Sequence, residues 1–164
     1  STLPGFAIPP EELPPFLTAR QCLDIHANAH GLAAPPPQCI RLFDLLGLDA
    51  HATTLVRQAS LGTRQKLAIV LALMMPTPLL LLDEVFNGLD FSSALKLRAH
   101  LRGCVDLEGL TVLLATHSLD VVLRCCDELI LLDSGRLVKR WEMSSFTGAD
   151  GLGALENALA KSGN

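Results

Sequence analysis

The sequence has little charge and few aromatic residues. Of its 164 residues, 18% are charged and 4% are aromatic, and tyrosine is absent. Together with 49% hydrophobic residues, this composition excludes a disordered chain, because disordered segments are highly charged and poor in apolar residues. The net charge of −4 and the scattered basic residues leave no concentrated basic surface, so we expect no direct binding to nucleic acid.

No hydrophobic run is long enough to cross a membrane. The most apolar stretch, residues 67–82, is interrupted by Pro76 and Pro78 and is shorter than the ~20 residues that a helical span needs. The amino terminus shows no basic start followed by an apolar stretch and a cleavage site, so we see no export signal. These absences predict an intracellular chain that does not itself span a membrane.

The cysteines lack the spacing of a paired framework. They are odd in number and none forms a C-x-x-C pair, so we expect reduced, structural thiols that hold neither zinc nor disulfides. The cysteines are Cys22, Cys39, Cys104, Cys125 and Cys126.

The first half of the chain is predicted to be helical after an irregular start. Six prolines or glycines among the first seventeen residues predict a loop. The capping box at Thr18 predicts a helix over 19–30, and the prolines at 35–37 introduce a second helix that ends at Gly47. Ser60 is a suitable N-cap for a third helix through Met75.

The second half alternates strands and helices, which predicts an α/β fold. We expect buried strands over 79–82 and 111–115, with a helix over 93–101 between them and a short helix capped by Ser118 after them. A hairpin is expected over 128–141, and a helix over 152–160. We therefore predict a single domain divided into a lead-in (1–17), a helical part (18–75), a strand-rich part (76–141) and a tail (142–164).

Polar residues follow both predicted strands. Asp83 and Glu84 leave the first strand at its carboxyl end, where open α/β sheets place their ligand crevices. Because side chains alternate along an extended chain, one acid could hold a hydrated Mg²⁺ while the other faces an attacking water. Asp90 ends a tight turn after the acids, and His117 follows the next strand. Taken singly, the two acids are as typical of a solvated strand end as of a site, Asp90 is more typical of a turn residue or helix cap, and His117 of a turn histidine. Their order in the chain favours a shared site.

Several ordered segments resemble the ATP-binding cassette (ABC) transporter ATPases. LLLLDEVFNGLD (79–90) is similar to the Walker B strand joined to the D-loop, and ATHS (115–118) to the switch-histidine loop. ASLGTRQKLAIVLALMMPTP (59–78) resembles the signature segment, in the S-x-G-x-R-Q-[KR] form of an export branch. Residues 5–32 resemble the Q-loop and the start of the helical subdomain, and 126–138 the closing hairpin. The resemblance implies a partial P-loop NTPase fold: the helical subdomain with the parallel-sheet half of the core.

The resemblance implies ATP hydrolysis at the interface of two subunits. The helix that begins at Ser60 would cover the γ-phosphate of a nucleotide held by a second subunit, because helix amino termini favour anions. The implied phosphate-covering residues are Ser60, Leu61, Gly62 and Thr63. Asp83 would coordinate Mg²⁺ through water, Glu84 would polarise the attacking water, His117 would contact the γ-phosphate and Asp90 would communicate across the dimer.

The same resemblance implies partners and a location. The partners would be a second nucleotide-binding domain and a transmembrane transporter subunit, and the protein would lie at the cytoplasmic face of the cell membrane. No G-x-x-x-x-G-K-[ST] phosphate loop occurs, so ATP and Mg²⁺ would need a missing Walker A half or a partner chain. We therefore expect a fragment of a longer ATPase that does not turn over ATP alone and that associates with itself or another chain.

The sequence also departs from the family pattern. The Q-loop glutamine is replaced near Pro10 or Glu11, which puts the placement of metal and water in doubt. Leu61 and Thr63 replace a glycine and a glutamine of the signature, and Val85 stands where proline follows the acids. Two alternatives stay open: a non-catalytic module that docks through its proline-rich start and the helices over residues 18–46 on a membrane subunit or partner ATPase, and an unrelated metal-dependent hydrolase that uses Asp83, Glu84 and His117 directly.

Overall fold

The computed structural model describes residues 4–148 and 150–162. Its contacts divide the chain into two compact units, residues 1–115 and 116–164. Each unit is described by itself. The segment boundaries predicted at residues 17, 75 and 141 stay predictions.

The first unit contains a three-stranded parallel sheet. Its strands lie in the order β1 (Gly5–Phe6), β2 (Leu79–Asp83) and β3 (Thr111–Ala115), so β2 is central. The β2 run of four leucines supplies the apolar residues of a central strand, and Leu80 and Leu82 are buried. A parallel sheet at this position confirms the predicted α/β class.

The expectation that residues 1–17 form only a loop is wrong at β1. Gly5 pairs in register with Leu80, its N–H donates to Thr77 Oγ1 at 3.0 Å, and a 3₁₀ turn follows over Pro10–Glu12. A Cβ at Gly5 would lie 2.9 Å from the carbonyl oxygen of Ala72, so this close approach requires glycine. Two residues are too few for a periodic signal, and only their distant partner makes them a strand.

Within residues 4–115, four α-helices accompany this sheet, and a side-chain cap begins three of them. Thr18 and Gln21 form the predicted capping box, and Asp90 caps the longest helix by accepting from the Ser93 N–H at 2.9 Å. That helix is twice the predicted length and continues until Gly109, which takes a left-handed φ of 71°. The helices are α1 (Ala19–Ala29), α2 (Pro37–Leu45), α3 (Leu61–Ala72) and α4 (Phe91–Glu108).

The core of the first unit lies between these helices and β2. Leu23, Ile69, Leu80 and Leu97 come from α1, α3, β2 and α4, and each has no exposed surface. The expectation that β3 is buried is wrong, because Leu113 at its centre is 56% exposed. Within the described residues no strand pairs with the outer edge of β3. The apolar sequence of β3 is therefore typical of a buried strand, whereas in the described structure β3 is exposed and one of its edges is unpaired.

The second unit contains the predicted short helix and hairpin. Ser118 caps α5 (Leu119–Cys125), and β4 (Glu128–Asp133) pairs antiparallel with β5 (Arg136–Glu142). The left-handed residues Ser134 and Gly135 form the turn, as two-residue hairpin loops require. A final helix, α6 (Gly151–Ala160), packs against α5. None of the helices in the described ranges is both long and apolar enough for a membrane span.

Candidate functional site

The two acids lie where β2 ends. Asp83 is the last residue of the strand and is exposed. Glu84 leaves the strand with φ of 48°, its N–H donates to the Ala115 carbonyl at 2.9 Å, and its Oε2 accepts from Asn87 Nδ2 at 3.1 Å. A left-handed backbone is uncommon outside glycine, and it makes Glu84 a turn residue. The directions of the two acid side chains are therefore set by this backbone turn. We had expected the alternation of side chains along an extended strand to set them.

The first turn of α3 carries the signature-like residues. Ser60 is exposed, and its Oγ accepts from the Thr63 N–H at 3.1 Å and lies 2.9 Å from Thr63 Oγ1. The N–H of Thr63, one of the predicted phosphate-covering residues, is therefore occupied by the cap. The N–H groups of Leu61 and Gly62 belong to the first turn, which has no preceding helical carbonyl to accept from them. An exposed capped helix terminus with such donors is suited to an anion.

This turn packs against the loop that follows the acids. A Cβ built on Gly62 would lie 2.5 Å from the carbonyl oxygen of Gly88, so the two backbones are in direct contact. Gly88 itself has φ of 77°, and the Leu61 side chain lies within 3.6 Å of where its Cβ would be. The structure thus brings the predicted phosphate-covering residues to the loop between Glu84 and Asp90.

An ion pair holds the same two segments together one turn further on. Lys66 Nζ, from α3, lies 2.9 Å from Asp90 Oδ2, which also accepts from Ser93 Oγ at 2.6 Å. The Ser93 hydroxyl and N–H, and then the Lys66 ammonium, hold the pKa of Asp90 well below its usual range. Asp90 is thus a helix cap and a contact between the two segments.

His117 belongs to the second unit, where it is exposed and lies between Thr116 and Ser118. The Ser118 N–H donates to Thr116 Oγ1 at 3.1 Å, which shapes the turn into α5. The expectation that His117 shares a crevice with Glu84 stays a prediction.

Sequence reasoning missed two partners in this region. It placed Lys66 in the signature segment without recognising it as the cation that pairs with Asp90, since 24 residues separate them. The second is Asn87, which lies in the turn between the acids and Asp90 and whose side-chain amide donates to the Glu84 carboxylate. In the described ranges, no three histidine, cysteine or acidic side chains are placed to hold a metal ion together.

Comparison with known proteins gives the family. A family profile described as "AAA domain, putative AbiEii toxin, Type IV TA system" matches residues 42–124, just over half of the chain. The chain is also 34% identical over 133 residues to the uncharacterized ABC transporter ATP-binding protein YdbJ of Bacillus subtilis, covering 81% of this chain and 43% of that protein. The chain belongs to the ABC-type ATPases.

Two further matches agree with this ABC ATPase assignment. The methionine import ATP-binding protein MetN of Xylella fastidiosa is 42% identical over 97 residues, which cover 57% of this chain and 28% of that protein. A solved ATP-binding subunit of an ABC transporter superimposes with a TM-score of 0.73 at 28% identity, covering 87% of this chain and 60% of its own. The partial P-loop NTPase fold is therefore confirmed, and this ABC ATPase chain spans less than half the length of the two curated relatives.

Proposed function

We propose that this chain supplies the signature, Walker B, D-loop and switch-histidine segments of an ABC transporter ATPase. The observation that carries the proposal is the direct contact between the exposed first turn of α3 and the loop after the two acids. This contact supports the proposal because it joins a helix terminus suited to phosphate to the loop that follows two acids suited to metal and water. The Lys66–Asp90 ion pair supports the same arrangement.

The residues present fit a magnesium nucleotide. Asp83 offers an exposed carboxylate, the oxygen ligand that Mg²⁺ takes, and would hold the ion through water. When bound, the ion would neutralise charge on the β- and γ-phosphates. Glu84, oriented by Asn87, would polarise the attacking water, and His117 would contact the γ-phosphate.

The partner in this proposal is a second ATPase subunit. Ser60 and the N–H groups of Leu61 and Gly62 would cover the γ-phosphate of a nucleotide held by the partner's phosphate loop, and Asp90 would lie near the dimer interface. A transmembrane subunit would couple this closure to transport, with the ATPase at the cytoplasmic face of the membrane. The matched proteins include one named for import, so the signature form does not assign an export direction.

Complementation tests the catalytic proposal. A partner subunit with an intact phosphate loop should gain Mg²⁺-dependent ATPase activity when this chain is added. Glu84→Gln should lower kcat at least about a hundredfold, the scale of a lost general base, and Ser60→Arg should block closure over the phosphate. Glu156→Gln and Ser145→Arg, at exposed positions outside the site, are matched controls and should retain activity.

A docking module is the second candidate function. The side chains of Phe16 and Ile25, near the start of the helical part, are exposed apolar groups, and Arg57 lies over the Phe16 ring at 5.4 Å. If the partner ATPase binds this chain without any gain in activity, and Phe16→Ser abolishes the binding, the docking function is correct and the catalytic proposal is wrong.

A further inference from the structure

Two contacts join one face of α3 to the loop over residues 84–90. Gly62 and Lys66 are four residues apart on the helix, so they share a face. Gly62 meets the backbone of Gly88, where an added Cβ would lie 2.5 Å from the carbonyl oxygen, and Lys66 Nζ lies 2.9 Å from Asp90 Oδ2. Four residues of helix span about 6 Å. Two contacts at this spacing fix both the position of the loop along α3 and its rotation against the helix.

The Asp90 carboxylate joins the end of this loop to two helices. Its Oδ1 accepts from the Ser93 N–H at 2.9 Å, and its Oδ2 accepts from the Ser93 hydroxyl at 2.6 Å and from the Lys66 ammonium. Ser93 belongs to the first turn of α4, whereas Lys66 belongs to α3. The Lys66 side chain is only 16% exposed, so its stem is covered and its ammonium has little freedom to leave the carboxylate.

The other end of the loop is anchored in the sheet. The Glu84 N–H donates to the Ala115 carbonyl at 2.9 Å, and the side chain of Val85 is buried. Within the loop, the Asn87 N–H donates to the Glu84 carbonyl at 3.0 Å, and the Asn87 side-chain amide donates to the Glu84 carboxylate at 3.1 Å. A displacement of the loop's last residues, which Lys66 holds, therefore reaches the Glu84 carboxylate through Asn87.

We propose that Lys66 is a positioning residue for the reaction, because its ion pair with Asp90 sets the place of the loop that carries Glu84. This inference rests on the proposed function, in which Ser60 covers a phosphate and Glu84 polarises the attacking water. When the first turn of α3 closes over the phosphate, the ion pair moves the loop with it and keeps the carboxylate aligned. Rates depend steeply on such alignment, since a displacement of about 1 Å can lower a rate about a hundredfold.

A double-mutant cycle tests the proposal in the activity assay with a partner subunit that has an intact phosphate loop. Lys66→Met removes the ammonium and keeps most of the stem, whereas Asp90→Asn removes the charge and keeps a side chain that caps helices equally well. Each should lower kcat about two- to thirtyfold and leave KM for ATP nearly unchanged, because the partner's phosphate loop holds the nucleotide. The double variant should lower kcat no further, since both changes break the same pair.

Two further variants separate the ion pair from general stability. Lys66→Arg keeps a positive charge within reach of Asp90 and should retain most of the wild-type kcat. Lys96→Met removes an exposed lysine of α4 outside the site and is the matched control. All variants are compared at a temperature at which circular dichroism shows them folded. Under these conditions a merely structural role of Lys66 would leave kcat unchanged.

Hydrogen exchange measures the same coupling on the chain without a partner. Lys66→Met and Asp90→Asn should each speed the exchange of the peptide over residues 84–90 about two- to fivefold, the scale of a lost ion pair that is partly exposed. Lys66→Arg and Lys96→Met should leave that exchange near the wild-type rate.

The outcomes distinguish this inference from the proposed function. If the wild-type chain stimulates the partner and Glu84→Gln lowers that activity while Lys66→Met does not, the positioning role is wrong and the proposed function stands. If the wild-type chain gives no activity, the proposed function is wrong and the positioning role with it. Additive losses of kcat in the double variant, or exchange over residues 84–90 that Lys66→Met leaves unchanged, also overturn the positioning role.

Discussion

The contact between Gly62 and Gly88 predicts that replacing Gly62 by alanine lowers the stability of the fold. In Gly62→Ala the new Cβ would lie 2.5 Å from the Gly88 carbonyl oxygen, whereas ordinary contacts begin at 3.4 Å. The obstacle is backbone, so α3 or the loop must move by nearly 1 Å, as the two distances require. Such overpacking lowers the free energy of unfolding by about 1–3 kcal/mol, whereas the better helix propensity of alanine raises it by up to about 1 kcal/mol. We expect a net loss of about 1–2 kcal/mol.

The same change at Gly103 is the matched control. Gly103 lies inside α4, and a Cβ there would meet nothing within 4 Å. Gly103→Ala should therefore stabilise the chain by about 0.5–1 kcal/mol, because glycine in a helix interior is unfavourable relative to alanine. The two variants differ by one methyl group each and are expected to have opposite effects.

Thermal and urea unfolding followed by circular dichroism measures this pair. For a chain of this size, the melting temperature should fall by about 2–8 °C in Gly62→Ala and rise by about 1–4 °C in Gly103→Ala. A Gly62→Ala chain as stable as Gly103→Ala would refute the contact between the first turn of α3 and the loop after the acids. The arrangement that carries the proposed function would then be incorrect as well.

Two further predictions concern charge and the open strand. The folded pKa of Asp90 is depressed, so its interactions with Ser93 and Lys66 stabilise the chain above the unfolded pKa of about 3.9 and are lost as pH falls through the folded value. The stability deficit of Asp90→Asn should therefore be constant from pH 5 to 7 and shrink below about pH 4 in urea titrations, whereas a deficit independent of pH would contradict the ion-pair and capping role. Leu113 on β3 is 56% exposed, so the isolated chain should self-associate, and Leu113→Lys should shift light-scattering masses toward the monomer. A dilute wild-type monomer would oppose this prediction.

Local chemistry explains why much of the fold could be predicted from the sequence. The Thr18–Gln21 capping box, the Ser60 cap and the Ser134–Gly135 turn each involve residues within three positions, and all three occur in the structure. The four leucines of β2 are equally informative, because an apolar run of this length bounded by prolines and acids is typical of a central strand. Family resemblance then predicted the ABC ATPase fold, which the comparisons confirm.

The predictions of secondary structure and burial were wrong where a residue's environment depends on segments far away in the sequence. β1 has two residues and exists because Gly5 can approach Ala72 and pair with Leu80, neither of which is near it in sequence. β3 has the composition of a buried strand, yet its exposure depends on what lies beside it. The full length of α4 was missed because helix propagation across Gly103 depends on packing as well as local preference.

The candidate site shows the same division. The sequence by itself predicted which residues would carry the chemistry, namely the capping serine and the two acids after an apolar strand, and the order of its motifs indicated the family. Tertiary structure decided that Lys66 pairs with Asp90, that Gly62 meets the backbone at Gly88, and that Glu84 is turned by a left-handed backbone. Capping and strand patterns act over a few residues and can be recognised in the sequence. The Lys66–Asp90 and Gly62–Gly88 contacts join segments more than twenty residues apart, and the turn at Glu84 follows from how a strand ends. These features form only in the folded chain.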